Sequence, residues 1–143
     1  MRRQPVPSPF LRPLLALLAG VGIIVLITVP AVLIMTLGVM RGVDPRKFQP
    51  GSGYLGATLA VIAVGNFAGG FTAAKITAGR SIYTVMLLAV MMLASSLKPV
   101  IKPDSARREP PWYPPVVACL APLGVIAGGV LQRRRDAHLL VRA

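Results

Sequence analysis

Residues 14–39 read LLALLAGVGIIVLITVPAVLIMTLGV, a run without one charged side chain. A helix needs about 20 apolar residues to cross a hydrocarbon core of about 30 Å, so this run is long enough to span a bilayer. It continues well past the roughly 7 to 15 apolar residues of a secretory signal, and no small-residue cleavage pattern ends it. We therefore expect a retained transmembrane helix over residues 14–39.

Three further apolar segments predict helices at about 55–74, 82–98 and 115–132. Their apolar residues do not alternate with a period of two, which favours helices over the strands of a membrane barrel. A small soluble domain could not bury four helices that have almost no polar face. The sequence therefore predicts an all-α polytopic membrane protein, with four transmembrane helices in a single membrane domain.

The net charge of +12 would suggest nucleic-acid binding in a soluble protein, but here the cationic residues flank the apolar runs. A basic segment, residues 1–13, precedes the first helix, and a basic tail, residues 133–143, follows the last. Each cationic residue near a bilayer adds about 1 kcal/mol of attraction to anionic lipid. We predict a bilayer with anionic headgroups as the partner, and no nucleic acid. The predicted headgroup contacts are Arg2, Arg3, Arg12, Arg133, Arg134 and Arg135.

An even number of spans places both termini on one side of the membrane. Of the 16 lysines and arginines, nine fall on that side and seven on the other, which favours cytoplasmic termini. On the opposite side, a Pro-rich loop at 99–114 ends in Trp112 and Tyr113. With Tyr54, these aromatic rings predict an interfacial belt, and a Pro-rich docking segment for a partner is the alternative.

The second and fourth helices share the pattern G-x-x-A-G-G, at residues 65–70 and 124–129. An offset of 59 residues aligns the two copies and also aligns Tyr54 with Tyr113. Since these helices would cross the membrane in the same direction, the pattern allows a parallel duplication of a helical hairpin. Chance similarity is the alternative, because small residues are common in membrane helices.

Glycines four residues apart lie on one face of a helix, where the missing side chains let another backbone approach closely. The pattern indicates a helix contact without showing whether the contact lies within one chain or between copies. The predicted packing residues are Gly65, Gly69, Gly70, Ala73, Gly124, Gly128 and Gly129.

Asn66 is the strongly polar side chain that lies deep in a predicted span. Its amide should avoid lipid and bond to another helix, which contributes roughly 0.6 to 2 kcal/mol. The candidate partners are Thr28, Ser95, Ser96 and Asn66 of a second copy. A contact with a substrate or an ion is the alternative interpretation.

No pattern of catalytic, metal-binding or cofactor-binding residues emerges from the sequence. The four acidic residues fall in loops or in the tail, which disfavours proton-coupled export. The lone His138 and the lone Cys119 cannot form a metal site or a nucleophilic pair with each other. We therefore expect a protein that is not an enzyme and carries no cofactor.

Residues 65–80 read GNFAGGFTAAKITAGR. The stretch resembles a signature of small uncharacterised bacterial four-helix integral membrane proteins, A-G-G-x-x-A followed by Lys or Arg. Residues 68–70 and Ala73 match it, and the cation, Lys75, comes one position later. The His-Gly pair often found after that turn is replaced by residues 81–83, Ser-Ile-Tyr. The resemblance implies four helices and a bacterial plasma (inner) membrane location, and no activity.

Packing surfaces are plentiful in this sequence and reactive groups are not. The leading hypothesis is a structural or accessory component of a membrane assembly, either a homo-oligomer or part of a larger membrane complex. The alternative is a small channel or transporter that uses Asn66, Thr72 and the glycine-rich helix faces.

Overall fold

The computed structural model of the protein describes residues 11–39, 41, 50–77, 82–101 and 109–141. This part of the chain forms four α-helices, which confirms the predicted all-α class. They are α1 (Leu11–Val39), α2 (Ser52–Ile76), α3 (Ile82–Ile101) and α4 (Tyr113–Val141). Helices α1, α2 and α4 are long and apolar enough to cross a membrane, whereas the apolar part of α3, Ile82–Lys98, is shorter.

Helix α4 is longer than the sequence pattern predicts. We expected it to end near residue 132, but it continues through the arginine-rich segment to Val141. Residues 131–141 contain neither glycine nor proline and are rich in arginine and leucine, which favour helix. The first part of the predicted basic tail is therefore helical.

The predicted Pro-rich loop at 99–114 is shortened at both ends. Helix α3 includes Pro99 in its last turn and ends at Ile101, and α4 begins at Tyr113. Pro114 and Pro115 fit the first turn of α4 because the amide hydrogens that they lack would have no partner there. Residues 102–108 of the loop lie outside the described part of the chain.

Helix α2 lies at the centre of the bundle. It packs most extensively on α4 and next on α1, while α3 packs mainly on α4. Helices α1 and α2 are antiparallel, since Gly20 lies beside Ala73 and Thr36 bonds to Tyr54. Helices α2 and α4 are parallel, as the sequence pattern of the second and fourth helices requires.

The two ends of the bundle differ in composition. The basic end holds the starts of α1 and α3 and the ends of α2 and α4, with Arg12, Lys75 and residues 133–135. The tyrosine end holds the starts of α2 and α4, with Tyr54 and Tyr113. The buried core consists mostly of small and β-branched side chains: Ile24, Ala73, Ala74, Val85, Leu88, Ala89 and Val125.

The outer surface of the bundle is strongly apolar. On α1 alone, Leu18, Leu26, Leu33 and Ile34 are each more than half exposed. Single exposed aliphatic side chains are normal in soluble proteins, but a continuous aliphatic surface along a helix is typical of contact with lipid or with another protein.

Candidate functional site

The glycine doublet of α2, Gly69 and Gly70, faces two different helices. Neighbouring residues on a helix are separated by about 100° of rotation, so adjacent glycines open two faces. A Cβ added at Gly69 would overlap the side chain of Ile24 and lie 2.8 Å from the carbonyl oxygen of Gly20, both in α1. A Cβ at Gly70 would overlap the backbone of Val125 in α4. The doublet therefore lets α2 approach α1 and α4 at the same level.

The matching doublet of α4, Gly128 and Gly129, has the same division of contacts. A Cβ at Gly128 would overlap the carbonyl oxygen of Phe67 in α2. A Cβ at Gly129 would lie 2.6 Å from Cγ1 of Val85 in α3. Each copy of G-x-x-A-G-G thus gives its helix two close neighbours.

The remaining predicted packing residues lie beside these doublets. A Cβ at Gly65 would lie 2.6 Å from Oγ1 of Thr28, and a Cβ at Gly124 would lie 3.0 Å from Cβ of Asn66. Ala73 is fully buried against Gly20. All seven residues predicted to pack therefore lie at contacts between helices of this one chain.

Sequence reasoning missed the contribution of α1 to this packing. Gly20 is buried, and a Cβ there would lie 2.9 Å from Cδ2 of Leu88 and 3.2 Å from the carbonyl oxygen of Gly69. Ala16, four residues earlier, is also fully buried. The spacing of Ala16 and Gly20 inside an aliphatic run is the signal that would have found this face.

Asn66 is buried in the contact between α2 and α4, with a relative exposure of 3%. Its Nδ2 donates to the carbonyl oxygen of Ile62, one turn earlier in the same helix, at 2.8 Å. The bond to another helix that we predicted for Asn66 is not found among the described residues, and Oδ1 has no partner there. An asparagine in a helix can donate to the carbonyl one turn earlier, and Nδ2 of Asn66 does so.

The candidate partners of Asn66 have other environments. Oγ1 of Thr28 is buried without a partner in the described part of the chain. Ser95 is exposed, and its hydroxyl donates to the carbonyl oxygen of Met91 at 2.8 Å. Thr72, named with Asn66 in the transport hypothesis, is half-buried on α2. In the described part of the chain, neither Thr28 nor Ser95 hydrogen-bonds to Asn66.

Hydroxyl groups from three helices lie near one another at the tyrosine end. Oγ1 of Thr36 and the hydroxyl of Tyr54 are 2.8 Å apart, which joins α1 to α2. The side chain of Tyr113 in α4 lies beside that of Thr58 in α2, whose hydroxyl donates to the carbonyl oxygen of Tyr54 at 2.9 Å. Tyr113 is buried, so within the predicted aromatic belt it is Trp112, 49% exposed, that presents its ring to the surroundings.

The basic end carries exposed arginines. Arg12, Arg133, Arg134 and Arg135 are all exposed, and the guanidinium of Arg135 lies over the ring of Phe71, 5.8 Å from its centroid. This arrangement is a cation–π contact between α4 and α2. Arg2 and Arg3, the other predicted headgroup contacts, lie outside the described residues.

A second group of small residues lies on the first half of α2 and faces outward. We call it the outer small-residue stripe: Gly53, Gly56, Ala57 and Ala60. All four are exposed, and a Cβ added at Gly53 or at Gly56 would meet no atom within 4 Å. Gly53 and Ala57, like Gly56 and Ala60, are four residues apart and share a helix face. Unlike the doublets, this stripe has no neighbour in the described part of the chain.

The described residues include no group of three or more His, Cys, Asp or Glu side chains placed to hold a metal ion. Cys119 is a free thiol on the exposed side of α4.

No protein-family model, curated protein or solved structure matches the chain at a significant level. The function proposed below therefore rests on the residues and contacts of this chain alone.

Proposed function

We propose that the chain is a multi-pass protein of the bacterial inner membrane with cytoplasmic termini, and that it is a structural or accessory component of a membrane assembly, not an enzyme. The length and apolar composition of α1, α2 and α4 support the membrane location. Helix α3 has 20 residues, which at about 1.5 Å per residue reach about 30 Å, the thickness of the hydrocarbon core. All four helices are therefore assigned as spans.

The exposed surface also supports a membrane location. The outward side chains of α1 are almost all aliphatic, and those of α3 include Met86, Leu87, Val90 and Met91. Contact of these apolar side chains with lipid tails carries no free-energy cost, whereas their exposure to water does. The positive charge at the basic end fits the cytoplasmic leaflet, whose surface is anionic.

The outer small-residue stripe is the observation that carries the assembly role. Within the chain, six glycines of α2 and α4 are already in contact with neighbouring helices, and those contacts account for the fold of the monomer. Gly53 and Ala57, like Gly56 and Ala60, have the four-residue spacing of these glycines, but a Cβ at Gly53 or Gly56 meets no described residue within 4 Å. Because van der Waals packing of small-residue faces drives association between helices in lipid, this stripe fits a helix of a second copy or of another membrane protein.

The test compares two glycines that have equal surroundings within the chain. Gly56 and Gly22 are both exposed, and a Cβ at either would meet nothing within 4 Å, but only Gly56 belongs to the stripe. We expect the full-length protein to be an oligomer in mild detergent, Gly56→Ile to be a monomer, and Gly22→Ile to remain an oligomer. Light scattering coupled to size exclusion measures the mass of the protein component.

One result would contradict the stripe as the contact between copies, and a second would contradict the assembly role itself. If Gly56→Ile and Gly22→Ile leave the mass unchanged, the stripe is not the contact between copies. If the wild-type chain is a monomer and cross-linking in native membranes captures no second protein at position 57 or 60, the chain is not part of an assembly.

A small channel or transporter is the second candidate function. The observation in its favour is a pair of buried oxygens without partners, Oδ1 of Asn66 and Oγ1 of Thr28. Against it, Asn66 is packed against Gly124 and lines neither the cavity between α2, α3 and α4 nor the open groove along α1. Ion or solute flux in proteoliposomes that Asn66→Leu abolishes would establish transport in place of the accessory role.

A further inference from the structure

A lateral groove at the basic end runs between α3 and α4 and reaches α2. Its floor is formed by small residues, Ala74 of α2 and Gly129 of α4, both buried. Its walls are Ile82 and Met86 of α3 and Val130 of α4, which are 38%, 45% and 40% exposed. The groove is therefore open sideways, toward the space that lipid chains would fill around the bundle.

The groove encloses a cavity of about 20 Å³ lined almost entirely by apolar atoms. A water molecule there would lack the two to four polar partners that hold buried water in place. A methyl or methylene group fits the same space and would make dispersion contacts with its apolar lining. The chemistry of the groove therefore suits a segment of a hydrocarbon chain.

Arg133 lies at the rim of the groove and supplies its charge. The structure shows no ion pair between Arg133 and a described carboxylate, and the acidic residue of its own helix, Asp136, accepts from Nε2 of Gln132 at 3.0 Å. Thr77, also at the rim, already donates its hydroxyl hydrogen to carbonyl oxygens of its own helix, so the donor is the guanidinium. A guanidinium binds phosphate oxygens through two parallel hydrogen bonds.

We propose that this groove binds one anionic phospholipid, with its phosphate on Arg133 and part of one acyl chain between Ile82, Met86 and Val130. The apolar groove and the cation at its rim match the two halves of such a molecule. The proposal rests on the membrane location proposed above and does not depend on the assembly role. The bound lipid would brace α3, which is held mainly by α4.

The experiment uses the full-length protein in mild detergent and measures retention of phosphatidylglycerol and of phosphatidylcholine by native mass spectrometry. Arg133→Gln is compared with Arg134→Gln, which removes the same charge from the neighbouring position but does not line the groove. We expect Arg133→Gln to weaken phosphatidylglycerol binding about tenfold and Arg134→Gln less than about twofold. Phosphatidylglycerol binding by Arg133→Lys should lie between that of the two glutamine variants, because lysine keeps the charge but lacks the planar guanidinium.

Two further measurements distinguish a site that binds a whole phospholipid from one that binds only an anion. Met86→Trp fills the groove without changing its charge and should also weaken phosphatidylglycerol binding. Inorganic phosphate, which has no acyl chain, should not displace the lipid at matched concentration. Equal losses in Arg133→Gln and Arg134→Gln, displacement by phosphate, or unchanged binding in Met86→Trp would each overturn the groove.

If the chain is not an integral membrane protein, the result is different. The wild-type chain would then be extracted from membranes by alkaline carbonate and would not enter proteoliposomes. If the chain is inserted in the membrane but Arg133→Gln and Arg134→Gln bind phosphatidylglycerol equally, only the proposed lipid site is wrong.

Discussion

Two groups of glycines lie on the same helix in opposite surroundings. Gly69 and Gly70, in the second half of α2, leave no space for even one methyl group, whereas Gly53 and Gly56, in the first half, have open space around them. The spacing of small residues is similar in both groups. The comparison shows that the pattern marks a surface suited to close approach, while the neighbouring helices decide whether that surface is used within the chain.

The difference between the two halves of α2 follows from the arrangement of the bundle. The buried core lies toward the basic end, where α1, α3 and α4 converge on Ala73 and Ala74. Toward the tyrosine end, the described contacts include hydroxyl bonds at Tyr54 and Thr58, and no described residue covers Gly53 or Gly56 on the bare side of α2. The bare side is therefore the place at which a further helix could be added without unpacking the monomer.

The largest difference in stability is expected between the variants Gly70→Ala and Gly56→Ala, and it tests this comparison directly. Gly70→Ala should destabilise the bundle by about 3 kcal/mol, because its methyl group would overlap the backbone of Val125, which cannot move aside like a side chain. Gly56→Ala should leave stability unchanged or raise it by up to about 1 kcal/mol, since alanine is the better helix former. Unfolding by SDS in mixed micelles, followed by circular dichroism, measures both. Equal losses would show that the two glycines have the same surroundings.

A smaller loss of stability is expected where the added methyl group meets a side chain instead of the backbone. Gly129→Ala places its methyl group against Val85 of α3, and we expect a loss of about 1 to 2 kcal/mol. Truncating the obstacle in the double variant Gly129→Ala/Val85→Ala should recover part of that loss. The same SDS titration gives the coupling energy from a double-mutant cycle. Additive losses would mean that the two residues do not touch.

Much of the fold could be predicted from the sequence because each helix is a long apolar run between charged or proline-rich breaks. The helix ends were less predictable. Hydropathy falls at Arg133, which predicts an end of α4 near residue 132, yet helix propensity does not depend on hydropathy, and the helix continues to Val141. The sequence predicts that α3 ends before Pro99, because proline lacks the amide hydrogen that would bond to the carbonyl of Ser95, yet the helix continues to Ile101.

The packing site was predictable only in part. Glycine spacing pointed to the residues, but it could not reveal that each doublet serves two neighbours, because that depends on which helices lie on either side. Gly20 was missed since α1 has no G-x-x-A-G-G pattern to draw attention to it. The partner of Asn66 could not be predicted, because an asparagine can satisfy its amide on its own helix as readily as on a neighbour.

The smallest change in stability is expected for substitutions at Asn66. These substitutions test whether Asn66 is a packing residue of α2 or part of a transport site. Asn66→Leu removes one hydrogen bond within α2 and also removes a buried oxygen without a described partner, so the two changes oppose each other. We expect stability to change by less than about 1 kcal/mol. Asn66→Asp is the matched control, because it keeps the shape, replaces the donor with an oxygen and buries a second acceptor. It should cost about 2 kcal/mol or more near neutral pH. If Asn66→Leu instead costs as much as Gly70→Ala, Oδ1 of Asn66 has a partner that is not among the described residues.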